Sequence, residues 1–90
     1  MTPAQRTIVE MEQAKRNRRR CIFTSPEAID AIVDASNIGW CRFVPEEEGD
    51  HVIETTSITG KMQDRTGVKV LTAGEDEVRR LQSAAPSRLF

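Results

Sequence analysis

The sequence predicts a small single α+β domain in the order α-β-α-β-β-β-α, with a mostly antiparallel sheet and the helices packed on one face. Three observations carry that expectation. Apolar residues recur at helical spacing in three separate stretches, near 3–18, 26–36 and 75–84, while alternating or β-branched runs at 21–25, 40–44, 51–59 and 68–72 lie between them. Turn residues punctuate the joins, as in "NIG", "PEEEGD" and the two glycines of "GKMQDRTG". Ninety residues, 38% hydrophobic and 30% charged, suffice for one modest core without metal or crosslinks. The expected layout is an amphipathic helix with a basic end over 1–20, an α+β core over 21–85 and a tail at 86–90.

The first helix has its own start signal. Thr2, Pro3 and Gln5 supply an N-cap, a first-turn proline and the glutamine of a capping box, and Ala4, Ile8, Met11 and Ala14 follow at helical spacing. The helix is expected to run to about residue 18, roughly 24 Å at 1.5 Å per residue. "CIFTS" reads as a short strand ended by Ser25, which caps a second helix with Pro26 at its first position and Glu27 in its first turn. Ala28, Ile29, Ile32, Val33 and Ala35 give that helix its inward side, and "NIG" stops it. In "WCRFV", alternation puts Trp40, Arg42 and Val44 on one face and Cys41 and Phe43 on the other. A crossover from the first strand to the second through the second helix is expected to be right-handed if the two lie parallel.

"PEEEGD" reads as a solvated hairpin tip. In "HVIETTSIT" the apolar positions Val52, Ile53 and Ile58 keep no single parity, which suggests a bulge or an edge strand. "GKMQDRTG" reads as a polar loop, "VKVLT" as the last strand, and Thr72 with Glu75 as the capping box of a third helix through Val78, Leu81 and Ala84.

Several chemistries fit the residues poorly. The single histidine, His51, has Asp50 beside it and Ser57 farther on, but strand neighbours point to opposite faces, so Asp50 is badly placed to orient the ring. It reads as a turn-edge histidine in water, and no catalytic residue is assigned. Three contiguous glutamates lack the alternating acids of a calcium loop, and two cysteines twenty positions apart with one histidine make no zinc site. Gly60–Lys61 is followed by a strand, not by the helix that a phosphate-binding loop needs. No helix-turn-helix is read, because a strand follows the second helix, and Phe23 and Phe43 read as core and not as a base-stacking platform. No cofactor and no metal are expected. Cys21 and Cys41 read as buried free thiols, and the absence of a long apolar run or a secretory leader predicts a cytoplasmic protein with no membrane contact.

Charge is the remaining signal. Residues 1–21 carry six cations against two acids, a net +4, whereas the remainder is −5. Five of those cations crowd into "KRNRRR", as Lys15, Arg16, Arg18, Arg19 and Arg20. Crowded like charges repel, so the cluster points to an outside anion that compensates them. Lys61 and Arg65, placed on the predicted loop, are expected to join the contact. The sequence-level reading is a small non-enzymatic adaptor or inhibitor that binds a macromolecular partner through these seven residues. A protein partner is favoured because the pI is near 5.8 and twelve acids after residue 21 would repel a phosphate backbone. Nucleic acid is the alternative, with a salt slope of about −3.6 for four phosphates. A homodimer through the apolar side of the first helix is the third reading.

Overall fold

The two helix starts read from local chemistry form as expected. The Thr2 hydroxyl accepts the Gln5 N–H at 3.1 Å while the Gln5 side chain accepts the Thr2 N–H at 2.8 Å, closing the capping box of α1 (Pro3–Arg16). Ser25 Oγ accepts the Ala28 N–H at 3.2 Å and opens α2 (Pro26–Ile38), which Gly39 ends in the left-handed conformation at φ 95°. The computed structural model describes residues 1–56 and 63–84. The remaining elements are β1 (Ile22–Phe23), β2 (Cys41–Val44), a 3-10 turn (Glu46–Glu48), β3 (His51–Thr56), β4 (Gln63–Val70) and α3 (Thr72–Ala84). The order is the predicted one, in a small α+β domain.

Several boundaries differ for physical reasons. α1 ends at Arg16, two residues early, and β1 keeps only two of the five residues read as strand. α3 begins at the predicted cap itself, one residue early: the Leu71 carbonyl already accepts the Glu75 N–H at 3.0 Å, so Thr72 lies inside the helix. The stretch read as a polar loop is strand from Gln63 onward, because it pairs on both sides, with β3 and with β2. Lys61 and the rest of 57–62 lie outside the described residues, as does the tail from 85 to 90.

The sheet order is β1-β3-β4-β2, with β1–β3 parallel and the other two pairings antiparallel. Two antiparallel steps make β1 and β2 parallel to each other, but they occupy opposite edges, and α2 crosses between them. β2 and β3 are not a hairpin. The Glu46–Glu48 turn carries the chain across β4, and β3 is an inner strand, not an edge. That placement explains the broken parity of "HVI": His51, Val52 and Ile53 are all buried because both faces of the sheet are covered there.

One face carries Phe23, Ile53, Val68, Val70 and Cys41, and these pack with Ile8 and Met11 of α1, Ile32 and Ala35 of α2 and Val78 of α3. Each large aliphatic side chain fully buried there contributes about 1.5–3 kcal/mol. On the opposite face the crossing segment lies on Gly67, and Val44 and Val52 are buried around it. Phe43, expected in the core, is 40% exposed: β2 is an edge strand, and its inward face there projects past the helical cover.

Both thiols are free, as expected, but they differ. Cys41 is buried, its Sγ 3.7 Å from the Ile32 carbonyl, and burial pushes its pKa up to about 11, whereas Cys21 is half-buried. A thiol-reactive dye at neutral pH is expected to label Cys21 in the native protein and Cys41 only after unfolding. Peptide mapping of the labelled chain reads the difference.

Candidate partner-binding site

The basic segment straddles the end of α1, with Lys15 and Arg16 in its last turn, and the backbone beyond is unusual. The Arg18 N–H donates to the Lys15 carbonyl at 3.0 Å, and the Arg19 N–H reaches back to the Ala14 carbonyl at 2.8 Å. This is the hydrogen-bond pattern of a Schellman cap, with Arg18 at the left-handed position, φ 57°. Glycine usually holds that place, as Gly39 does at the end of α2. A side chain there costs on the order of 1 kcal/mol. Arg18→Gly is therefore expected to stabilise the fold by up to about 1 kcal/mol, read as a raised urea midpoint, while removing one cation from the turn.

The far end of the turn is held by a buried histidine. His51 is fully buried, and its ring bridges two elements: Nδ1 accepts the Cys21 N–H at 3.0 Å, and Nε2–H donates to the Met11 carbonyl at 2.7 Å. These partners fix a ring protonated on Nε2 alone. Phe23 meets the ring edge-on at a centroid distance of 6.2 Å, and the Val52 N–H donates to the Cys21 carbonyl at 3.0 Å. His51 is thus not a turn-edge residue in water. It is the brace that fixes where the arginine turn enters β1.

The seven candidate cations divide sharply. Lys15 Nζ pairs with Glu75 Oε2 at 2.9 Å and lies 3.9 Å from Glu12 Oε1. The hydrogen bond to Glu75 raises the Lys15 pKa against a smaller opposing effect of burial, and the same contact lowers that of Glu75. Arg16 Nε pairs with Glu12 Oε2 at 3.0 Å, on a carboxylate of α1 that is nearly buried. Arg65 does not stand on a loop. It projects from β4, with Nε 3.0 Å from Glu46 and Nη1 2.7 Å from its cross-strand partner Glu54, and the bond to Glu46 leads the causes that raise its pKa. These three cations are neutralised by the domain's own carboxylates.

The turn itself is different. Arg18 and Arg19 are exposed, and neither has an acidic partner among the described residues. Arg20 donates from Nη2 to the backbone carbonyl of Glu46, which positions the guanidinium without cancelling its charge. The structure therefore shrinks the predicted cluster to a three-residue cationic turn, rigidly held at both ends.

Two further cations come together that sequence reasoning did not group. Arg42 and Lys69 are direct partners across β2 and β4, and both are exposed. They lie twenty-seven residues apart, so only the strand register could have joined them.

Elsewhere, a shallow cleft of about 440 Å³ is lined by Thr24, Pro26, Ile29, Asp30, Glu54 and Thr55, with neither a histidine nor a cysteine in its wall. Among the described residues, no group of three or more histidine, cysteine or acidic side chains is placed to hold a metal ion, and no helix is long and apolar enough to cross a membrane. Compared with known proteins, the chain matches no family model, no curated relative and no solved structure.

Proposed function

We propose that the chain is a small non-enzymatic binding protein, an adaptor or inhibitor, that engages an acidic surface of a protein partner through the Arg18–Arg20 turn. The carrying observation is the arginine in the left-handed cap position. Arg18 and Arg19 combine backbone strain with mutual repulsion, in a turn that glycine would close at lower free energy. Strained, uncompensated residues on a rigid scaffold are a recognised mark of a functional contact.

Nucleic acid is the second reading, since the same guanidinium groups suit phosphates. The neighbouring turn argues against it. Glu47 and Glu48 are exposed in the segment whose first carbonyl receives Arg20, and they would repel a phosphate backbone. A homodimer through α1 has the least support, because Ala4, Ile8, Met11 and Ala14 are all buried inside the domain.

The test compares proteins captured from source-cell lysate by the wild-type chain, by R18E/R19E, and by R79E as a control on an exposed cation of α3. The expected result is a partner retained by wild type and R79E and lost with R18E/R19E, an effect of at least about tenfold for two charge reversals at an ion-paired contact. The same captured set with all three chains refutes the reading. A salt series with single-stranded DNA separates the alternatives: three phosphates would give a slope of about −2.

A further inference from the structure

The turn leaves Arg42 and Lys69 unused. They face each other directly across two strands, both exposed, with no ion pair among the described residues. Like charges in that relation destabilise a ladder, so the pair is a local cost in an otherwise well-compensated domain.

Register links this pair to the arginine turn. The ladders end at His51–Val68 and Ile22–Val52; just before them Asp50 turns back, its N–H on the Val68 carbonyl at 2.8 Å, and Arg20 lies two residues ahead of β1. Arg20 before β1, Asp50 before β3, Lys69 near the end of β4 and Arg42 near the start of β2 therefore make a row along one end of the sheet. Asp50 Oδ2 accepts the Val70 N–H at 2.8 Å, a neutral donor that positions the carboxylate and leaves its charge, so the four side chains carry a net +2. Arg19 and Arg18 precede Arg20 along the chain, in the turn that closes α1.

We infer that this row is the second half of the partner-binding surface, and that its occupant is an acidic protein segment long enough to follow it from the turn to Arg42. The inference rests on the binding role proposed for the turn. Charge complementarity selects the occupant. Exposed Glu47 and Glu48 stand in the segment that follows β2, so an uninterrupted polyphosphate would meet repulsion beside the row. A peptide can set its carboxylates against the cations and present neutral or basic residues to the glutamates.

The test uses a dye-labelled peptide rich in aspartate and glutamate, with a single-stranded DNA of matched length as comparison, read by fluorescence anisotropy at low salt. R42Q/K69Q and R18Q/R19Q are each expected to weaken peptide binding about fivefold, the scale of two exposed ion pairs, and DNA is expected to bind more weakly than peptide throughout. R42Q/K69Q binding like wild type while R18Q/R19Q is weakened would overturn the row and leave the turn standing. Unchanged affinity in both variants would overturn both. DNA binding tighter than the peptide, and lost in both variants, would transfer the row to phosphate and overturn the acidic-protein assignment.

A stability measurement guards against a merely structural explanation. R42E should pair with Lys69 and raise the folding equilibrium constant about threefold in urea titration, while weakening peptide binding. A destabilised R42E would show that Arg42 serves the fold, and the proposal would fall.

Discussion

Replacing His51 by alanine is expected to destabilise the domain by about 3–5 kcal/mol, a large share of the roughly 5–13 kcal/mol that a 90-residue chain commands. Two terms add. Truncating a fully buried ring leaves a cavity beside Phe23 and Met11, and it strips the partners from the Cys21 N–H and from the second lone pair of the Met11 carbonyl. The carbonyl keeps its helical bond, so the amide is the heavier loss. His51→Asn should recover part of the deficit, because its side-chain oxygen offers an acceptor near the Nδ1 position. The loss should also be local before it is global. Amide exchange at Cys21 and Arg19 is expected to accelerate more than at Ile32, since the histidine ties the arginine turn to β3. An unfolding free energy from urea titration within about 1 kcal/mol of wild type would show that the brace is dispensable.

That role was not legible from the sequence, and the reason is instructive. His51 stands after "EEEGD", and polarity alone places it at a solvated turn. Only the structure shows the unbroken burial of His51, Val52 and Ile53, which a strand covered on both faces permits. Helix starts, by contrast, were legible because capping is local: Thr2 with Gln5 and Ser25 with Ala28 need no tertiary information. The same distinction divides the candidate site. The pairing of Glu12 with Lys15 and Arg16 follows from helical spacing and could have been read directly. Arg65 meeting Glu46 and Glu54, Lys15 meeting Glu75, and Arg42 facing Lys69 depend on strand register and helix docking, which ninety residues of sequence pattern do not specify. Of the arginine run, only Arg18, Arg19 and Arg20 are left without a carboxylate partner among the described residues.

Gly67 shows how the two faces of the sheet are joined, and Gly67→Ala is the second large effect. Sequence pattern places this glycine at the end of a loop, yet it lies within β4, directly under the crossing segment. A β-carbon there would sit 2.5 Å from the Pro45 carbonyl oxygen and 3.1 Å from Gly49 Cα, with Val44 Cγ2 at 3.0 Å. Two of those neighbours are backbone and cannot rotate away, so the crossing must lift, at an expected cost of about 3 kcal/mol. Gly39→Ala is the matched control: nothing lies within 4 Å of its β-carbon, and only the left-handed backbone is strained, so it should cost about 1 kcal/mol. The consequence for the site follows from Glu46. Its carbonyl receives Arg20 and its carboxylate receives Arg65, so lifting the crossing should release both guanidinium groups at once. Side-chain guanidinium exchange measured by NMR is expected to quicken at Arg20 and Arg65 in Gly67→Ala and to stay unchanged in Gly39→Ala. Equal exchange in the two variants would mean that the arginine turn holds its shape without the crossing segment.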